Sequence, residues 1–277
     1  MSDRASRLQL EEIDARLGDR DRKILYSILN HRYLTTDHIR RLYFTDHTSH
    51  SSALRATSRN LNKLKAFNLI RNVERRIGGV RSGSGSYVWQ LELGGHHLLR
   101  LKDRGSARPH PRNFEPSLYF LVHILAVAEC YVRINEICGH SGVKLVEIQN
   151  EAKNWRQYNS GGKIVFLKPD LFAVTACDGY EDRWFLEIDL DTESPIRIIE
   201  KCQRYHDYYR SGLEQKQYGV FPLTVWIVPD AERKETITKH IQKVFAKQPK
   251  IFTVITMEEL EPLIWQGADS TGGVTLC

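Results

Sequence analysis

The 277-residue sequence predicts two domains of mixed α+β and α/β class, on three observations. Residues 19–93 read as short amphipathic helices followed by two alternating segments around a Gly- and Ser-rich tip. Residues 103–116 hold Pro109, Pro111 and Pro116 among several arginines, the composition of a linker. From residue 117 onward helical patterns separate strand patterns, and the late strands are continuously apolar, as in a mixed sheet flanked by helices. Short helices followed by a hairpin make a winged helix-turn-helix. The expected divisions are an N-terminal arm or short helix at 1–18, the winged helix at 19–102, the linker at 103–116, a sheet domain at 117–265 and a disordered tail at 266–277.

The arm is charged, with Leu8, Leu10, Ile13 and Leu17 at amphipathic spacing, and is the segment expected to make a dimer contact. Ile24, Leu25, Ile28 and Leu29 form the buried stripe of the next helix, and Thr35 or Thr36 caps the one after it. A third helix runs from about Ser51 to Phe67. Leu54, Thr57, Leu61 and Leu64 are expected to face inward. Ser52, Arg55, Arg59, Asn62 and Lys63 fall on the opposite side, with Ser58 at the edge. Such a face, without an acid, suits a DNA major groove, where Arg pairs with guanine, Asn with adenine, and Ser or Lys with phosphate. The alternative is a solvated surface, but solvated faces usually mix charge signs. The hairpin that follows carries Arg71, Arg75 and Arg76 in its stem and Arg81 in its tip, placed to reach backbone phosphates.

The net charge of +6 is compatible with an anionic partner such as double-stranded DNA. No uninterrupted apolar run reaches about 18 residues, so no membrane span is expected. The N-terminus has no signal-peptide core. The five cysteines show no CxxC spacing, which argues against a disulfide framework or a zinc site and for reduced thiols in a cytoplasm.

In the second half, residues 117–139 form a long helix with a broad apolar face that also holds His123 and Glu129. Trp155 lies in a polar stretch at 150–162. It is expected to cover the core, with stacking on nucleic acid as the alternative. Lys168-Pro169-Asp170 sits in an extended run at 166–175, and Trp184 to Asp189 in another at 183–190. Pairing the two brings Asp170 and Glu187 to neighbouring places, and Glu187 and Asp189, two apart, share a face. Converging carboxylates repel unless a cation neutralises them, and all-oxygen ligands suit Mg²⁺ or Mn²⁺. The alternative is that Asp170 occupies a turn and the other two face water. Ser194-Pro195 then starts a helix that stops at Gly212 and places Lys201, Tyr205 and Tyr208 on one face.

This PD…ExD signal, in the order helix, strands, helix, strand, resembles the PD-(D/E)xK restriction-endonuclease-like fold. The resemblance implies metal binding by Asp170 and Glu187, with Glu129 of the preceding helix as a further ligand. A Glu129 satisfied by Arg133 is the alternative. Asp189 stands where that fold expects its lysine. In some members the lysine moves to the following helix, which makes Lys201 its candidate here, with Tyr205 reaching the same phosphate. Over residues 19–260 the chain is similar to the replication-relaxation family of bacterial plasmids and integrative elements. The similarity rests on the winged helix, on His123-Ile124-Leu125-Ala126-Val127, on Pro169-Asp170, and on Glu187 to Glu193 with Lys201 and Tyr205. It implies a duplex-DNA-binding, nucleoid- or plasmid-associated cytoplasmic protein of a mobile element. Replication, relaxation, maintenance or regulation would be its role, as a homodimer or with another protein of the same element. Two activities compete. One is metal-assisted nicking by Asp170, Glu187, Asp189, Lys201 and Tyr205. The other is transcriptional regulation by a dimer whose nuclease-like domain is inactive.

Overall fold

The computed structural model describes residues 7–73, 87–102, 116–140 and 142–268. They fall into two compact units that divide between Val132 and Arg133. Residues 103–115 of the expected linker lie outside the described residues. The division comes later than that linker, inside a helix, because the front of this helix supplies Leu121, Leu125 and Ala128 to the cores of the first unit.

The first unit contains helices α1 (Arg7–Ala15), α2 (Asp19–His31), α3 (Thr36–Tyr43), α4 (His50–Ala66) and α5 (Leu93–Lys102), and the start of α6 (Leu118–His140). Strands β1 (Leu34–Thr35), β2 (Ile70–Asn72) and β3 (Val88–Leu91) form an antiparallel sheet in the order β1-β3-β2. Thr35 caps α3, its hydroxyl accepting from the His38 N–H at 3.0 Å. Ile24, Leu25, Ile28, Leu61 and Leu64 interlock with Trp89 and Leu91 of the sheet. Gly94 and Gly95 open α5 where it crosses the turn before β2. A Cβ on Gly95 would come 2.2 Å from the Leu69 carbonyl oxygen, so only glycine permits this approach.

Two expectations change here. Leu10 and Leu17 of the stripe assigned to a dimer contact are buried in this unit's own core and Ile13 packs against it, which leaves Leu8 exposed. Leu54 is 41% exposed and Ala53 takes its inward place. The other three inward residues, Thr57, Leu61 and Leu64, are buried as expected.

The second unit contains the end of α6, helices α7 (Pro195–Ser211), α8 (Leu213–Tyr218), α9 (Ala231–Phe245) and α10 (Leu260–Gln266), and a 3₁₀ turn at Met257–Glu259. Strands β4 (Lys144–Asn150), β7 (Leu171–Cys177), β8 (Tyr180–Ile188), β9 (Leu223–Val228) and β10 (Phe252–Thr256) form a mixed five-stranded sheet, in the order β10-β9-β8-β7-β4. β8, β9 and β10 run parallel, and β8, β7 and β4 antiparallel. β9 is buried at every position, as its unbroken apolar run requires. Strands β5 (Arg156–Ser160) and β6 (Lys163–Leu167) pair as a separate hairpin. The run expected at 166–175 is therefore broken. Pro169 has no N–H to donate, and the chain leaves β6 before it and enters β7 after it.

α7 lies over the sheet. Ile198 and Cys202 pack with Trp226, Ile237 and Phe245, and Tyr205 and Tyr208 pack with Phe172, Phe185 and the hairpin's Tyr158 and Leu167. Gly212, at φ 69°, ends the helix in the left-handed conformation. Against the expectation of no span, α6 is long and apolar enough to cross a membrane by length and composition. Its Leu121, Ala128, Val132 and Ile134 are buried in the protein, as in a core helix. Of the expected tail, Gly267 and Ala268 are described, and the Ala268 N–H donates to Asp182 at 2.9 Å. Residues 269–277 lie outside the described residues.

Candidate functional site

The register of β7 on β8 pairs Leu171 with Leu186, so Asp170, one residue before, stands across from Glu187. Asp170 accepts the Ile188 N–H at 2.8 Å, which fixes its carboxylate at the strand end. Glu187 is buried and both its oxygens are engaged. Tyr205 donates its hydroxyl to Oε1 at 2.5 Å, and Lys201 Nζ lies 3.3 Å from Oε2. The same ammonium is 3.9 Å from Glu193 and 5.6 Å from the centre of the Trp226 ring. α7 delivers these groups because Lys201 and Tyr205 are one turn apart on its sheet-facing side.

Charge is concentrated in little water. Burial, and then the Asp170 charge, push the Glu187 carboxyl up to about 7, against the opposing pull of Lys201 and Tyr205. Burial alone would lower Lys201, but the carboxylates of Glu187, Asp170 and Glu193 outweigh it and raise the ammonium. Burial and Glu187 hold the Tyr205 phenol well above its ordinary range.

Asp189 does not join this cluster. It lies just past β8, where Arg233 of α9 donates through Nε to its Oδ2 at 2.6 Å. Arg233 also reaches Asp191 at 3.0 Å and the Glu193 carbonyl at 2.6 Å. A guanidinium with three acceptors has turned Asp189 into a tether for the β8–α7 connection, and the expected three-carboxylate convergence shrinks to Asp170 and Glu187. Arg233 and Glu193 carry no local motif that marks them for this place; only the acidic run Asp189–Glu193 hinted that a buried cation would come to it.

Glu129 is also engaged elsewhere. Arg41 Nη1 donates to it at 2.6 Å and His38 Nε2 lies 3.3 Å away, both within the first unit. A metal ion or Arg133 was the partner expected for Glu129, and Arg41 and His38 are the groups that stand beside its carboxylate. Tyr205 is fully enclosed with its hydroxyl on Glu187, so it positions that carboxylate instead of reaching a phosphate. Among the described residues no group of three or more His, Cys, Asp or Glu side chains is arranged to hold a metal ion. The pair Asp170 and Glu187 still fits Mg²⁺, which keeps several waters and takes only one or two carboxylates from protein. Burial and the neighbouring Asp170 both raise the proton affinity of Glu187, and a bound cation would offset both.

In the first unit, α4 has no Asp or Glu, and Arg55, Arg59 and Asn62 are exposed at i, i+4 and i+7. Lys65, not singled out by the sequence reading, is also exposed and donates to Asn72 at 2.8 Å. Ser58 is half-buried. Lys63 departs from the expected face: its ammonium lies 2.5 Å from the buried Asp21, which Asn60 and the Gly18 N–H also contact. Ser52 is occupied as well, its hydroxyl bonding the Ser49 carbonyl in the N-terminal cap of α4. Arg71 pairs with Glu92 at 3.2 Å. Arg75, Arg76 and Arg81 lie outside the described residues.

The replication-relaxation family model matches residues 25–224 of this chain. Among solved structures, the restriction endonuclease FokI bound to DNA is similar at 12% identity and a TM-score of 0.27, below what a shared fold gives. The match covers 92% of this chain and 45% of that one, so this chain spans under half the length of the FokI chain. No curated protein matches.

Proposed function

The chain belongs to the replication-relaxation family, and we propose that it is a duplex-DNA-binding protein of a bacterial plasmid or other mobile element, acting in the cytoplasm. The observation that carries this reading is the acid-free stripe of Arg55, Arg59 and Asn62 exposed along α4. With α2, α3 and the β1-β3-β2 sheet around it, α4 holds the place of a recognition helix in a winged helix-turn-helix. Arg55 and Arg59 are positioned for guanine edges and Asn62 for adenine. The test is a footprint on DNA from the protein's own genetic neighbourhood, repeated with Arg55→Ala and Arg59→Ala. Loss of a base-reading Arg weakens the specific site by about 1–3 kcal/mol. Variants that bind that DNA as tightly as the parent overturn the assignment.

A second activity is favoured by one distance, the 3.3 Å between Lys201 Nζ and Glu187. The second unit then reads as a PD-(D/E)xK-like domain with its lysine on the helix after the acidic strand. Asp170 and Glu187 would hold Mg²⁺ or Mn²⁺, which when bound polarises a phosphate oxygen and lowers the pKa of water. Lys201 supplies the positive charge that a developing phosphate anion needs. Tyr205 keeps Glu187 in place. If Mg²⁺ raises the melting temperature and Asp170→Asn abolishes the rise, this unit binds the cation; no response at millimolar Mg²⁺ leaves the regulator reading.

A further inference from the structure

The β5–β6 hairpin buries one face and leaves the other open. Tyr158, Val165 and Leu167 pack toward Phe172, Phe185, Tyr205 and Tyr208. Ile164 and Phe166, two apart on β6, are 65% and 48% exposed, and Trp155 at the base of the hairpin is 37% exposed. Trp155 does not cover the core as its position in the sequence suggested. Its ring meets Phe166 edge to face, with centres 6.4 Å apart, and Lys168 Nζ sits 3.9 Å from its centre. Residues 152–169 contain no Asp or Glu, and Lys153, Lys163 and Lys168 are all exposed.

Open aromatic rings flanked by ammonium groups, with no acid among them, complement nucleobases joined by phosphates. A duplex hides its base faces inside the stack, so the matching ligand has unpaired bases. The hairpin is also fastened to the carboxylate pair. Asn154, fully buried, donates to the Pro169 carbonyl at 2.6 Å, which joins the residue before Trp155 to the residue before Asp170.

We propose that the outer face of this hairpin binds unpaired nucleotides of a DNA strand and delivers that strand to Asp170 and Glu187. Trp155 and Phe166 stack on the bases, and Lys153 and Lys168 hold the phosphates. This deepens the DNA reading of the second unit and rests on it. The test uses the full chain and the anisotropy of labelled oligo(dT) about 12 nucleotides long. The double variant Trp155→Ala, Phe166→Ala loses about tenfold or more in oligo(dT) affinity at unchanged melting temperature, and Trp155→Phe retains most of it. Duplex from the genetic neighbourhood is titrated alongside, and the double variant holds it as the parent does. A parent without affinity for oligo(dT), or a double variant that binds it as the parent does, overturns the proposal. So does binding to phosphatidylglycerol vesicles that depends on Trp155 and Phe166 while oligo(dT) binding does not, since the face would then serve a membrane. If the parent ignores duplex yet holds oligo(dT) through Trp155, the hairpin assignment stands and the duplex reading falls.

Discussion

Glu187→Gln tests the electrostatics of the site directly, because it keeps the shape and removes the proton. An unfolded chain titrates this group near 4.5, and the folded site holds it up to about 7. The raised value means that the folded state favours the protonated carboxyl. Its contribution to stability is complete below the unfolded value and is lost as pH rises through the folded one. The gap between 4.5 and about 7, at about 1.4 kcal/mol per pH unit, converts to about 3 kcal/mol. The glutamine cannot titrate, so it supplies the baseline, and groups common to both proteins cancel. Urea unfolding followed by the fluorescence of the buried Trp184 and Trp226 gives the two stabilities at each pH. The parent's stability relative to the variant is expected to fall by about 3 kcal/mol between about pH 4 and about pH 8. A difference that stays flat, or grows in the parent's favour, would mean that Lys201 overrides burial and Asp170. The reasoning about the buried pair would then be wrong.

Three other outcomes follow from the same geometry. Asp189→Ala leaves the buried Arg233 without its buried carboxylate partner and is expected to cost about 3–5 kcal/mol in chemical denaturation, whereas Asp189→Leu with Arg233→Met costs much less. Lys63→Met strands the buried Asp21 carboxylate and lowers first-unit stability by about 1–3 kcal/mol, yet leaves the salt dependence of duplex binding unchanged; a flatter dependence would return Lys63 to the DNA face. Gly95→Ala drives a methyl toward the Leu69 carbonyl and lowers stability by about 1–3 kcal/mol in thermal melts; an unaltered melt would show that α5 shifts freely.

Much of the architecture was legible because it is local. Proline after serine and glycine after the last polar turn bracketed α7 at Pro195 and Gly212, alternation around apolar residues marked β8, and a continuous apolar run marked β9. The encounter of Asp170 with Glu187 followed from strand pairing, and that of Lys201 with Glu187 from helical spacing and the family resemblance. What escaped depends on partners far along the chain. Asp189 looked like a ligand because its neighbour in space, Arg233, is 44 residues away. Nothing near Glu129 in sequence announces its contact with Arg41, 88 residues earlier. Ala53 takes the inward place expected of Leu54, a choice that a hydrophobicity pattern weights the wrong way. The exposed side of Trp155 was invisible because large aromatics are usually buried.

Placing the ammonium on α7 has a consequence for control. A lysine two residues beyond Glu187 on β8 would be locked to it by the pleat of the strand. Lys201 answers to a helix that rests on the sheet through side chains alone. One residue of slippage along α7 moves it by about 1.5 Å and turns it by roughly 100°, enough to swing the charge away from Glu187 while the sheet stays intact. The positive charge of this site thus depends on the seating of α7, which the buried Ile198, Cys202 and Tyr205 hold against the sheet.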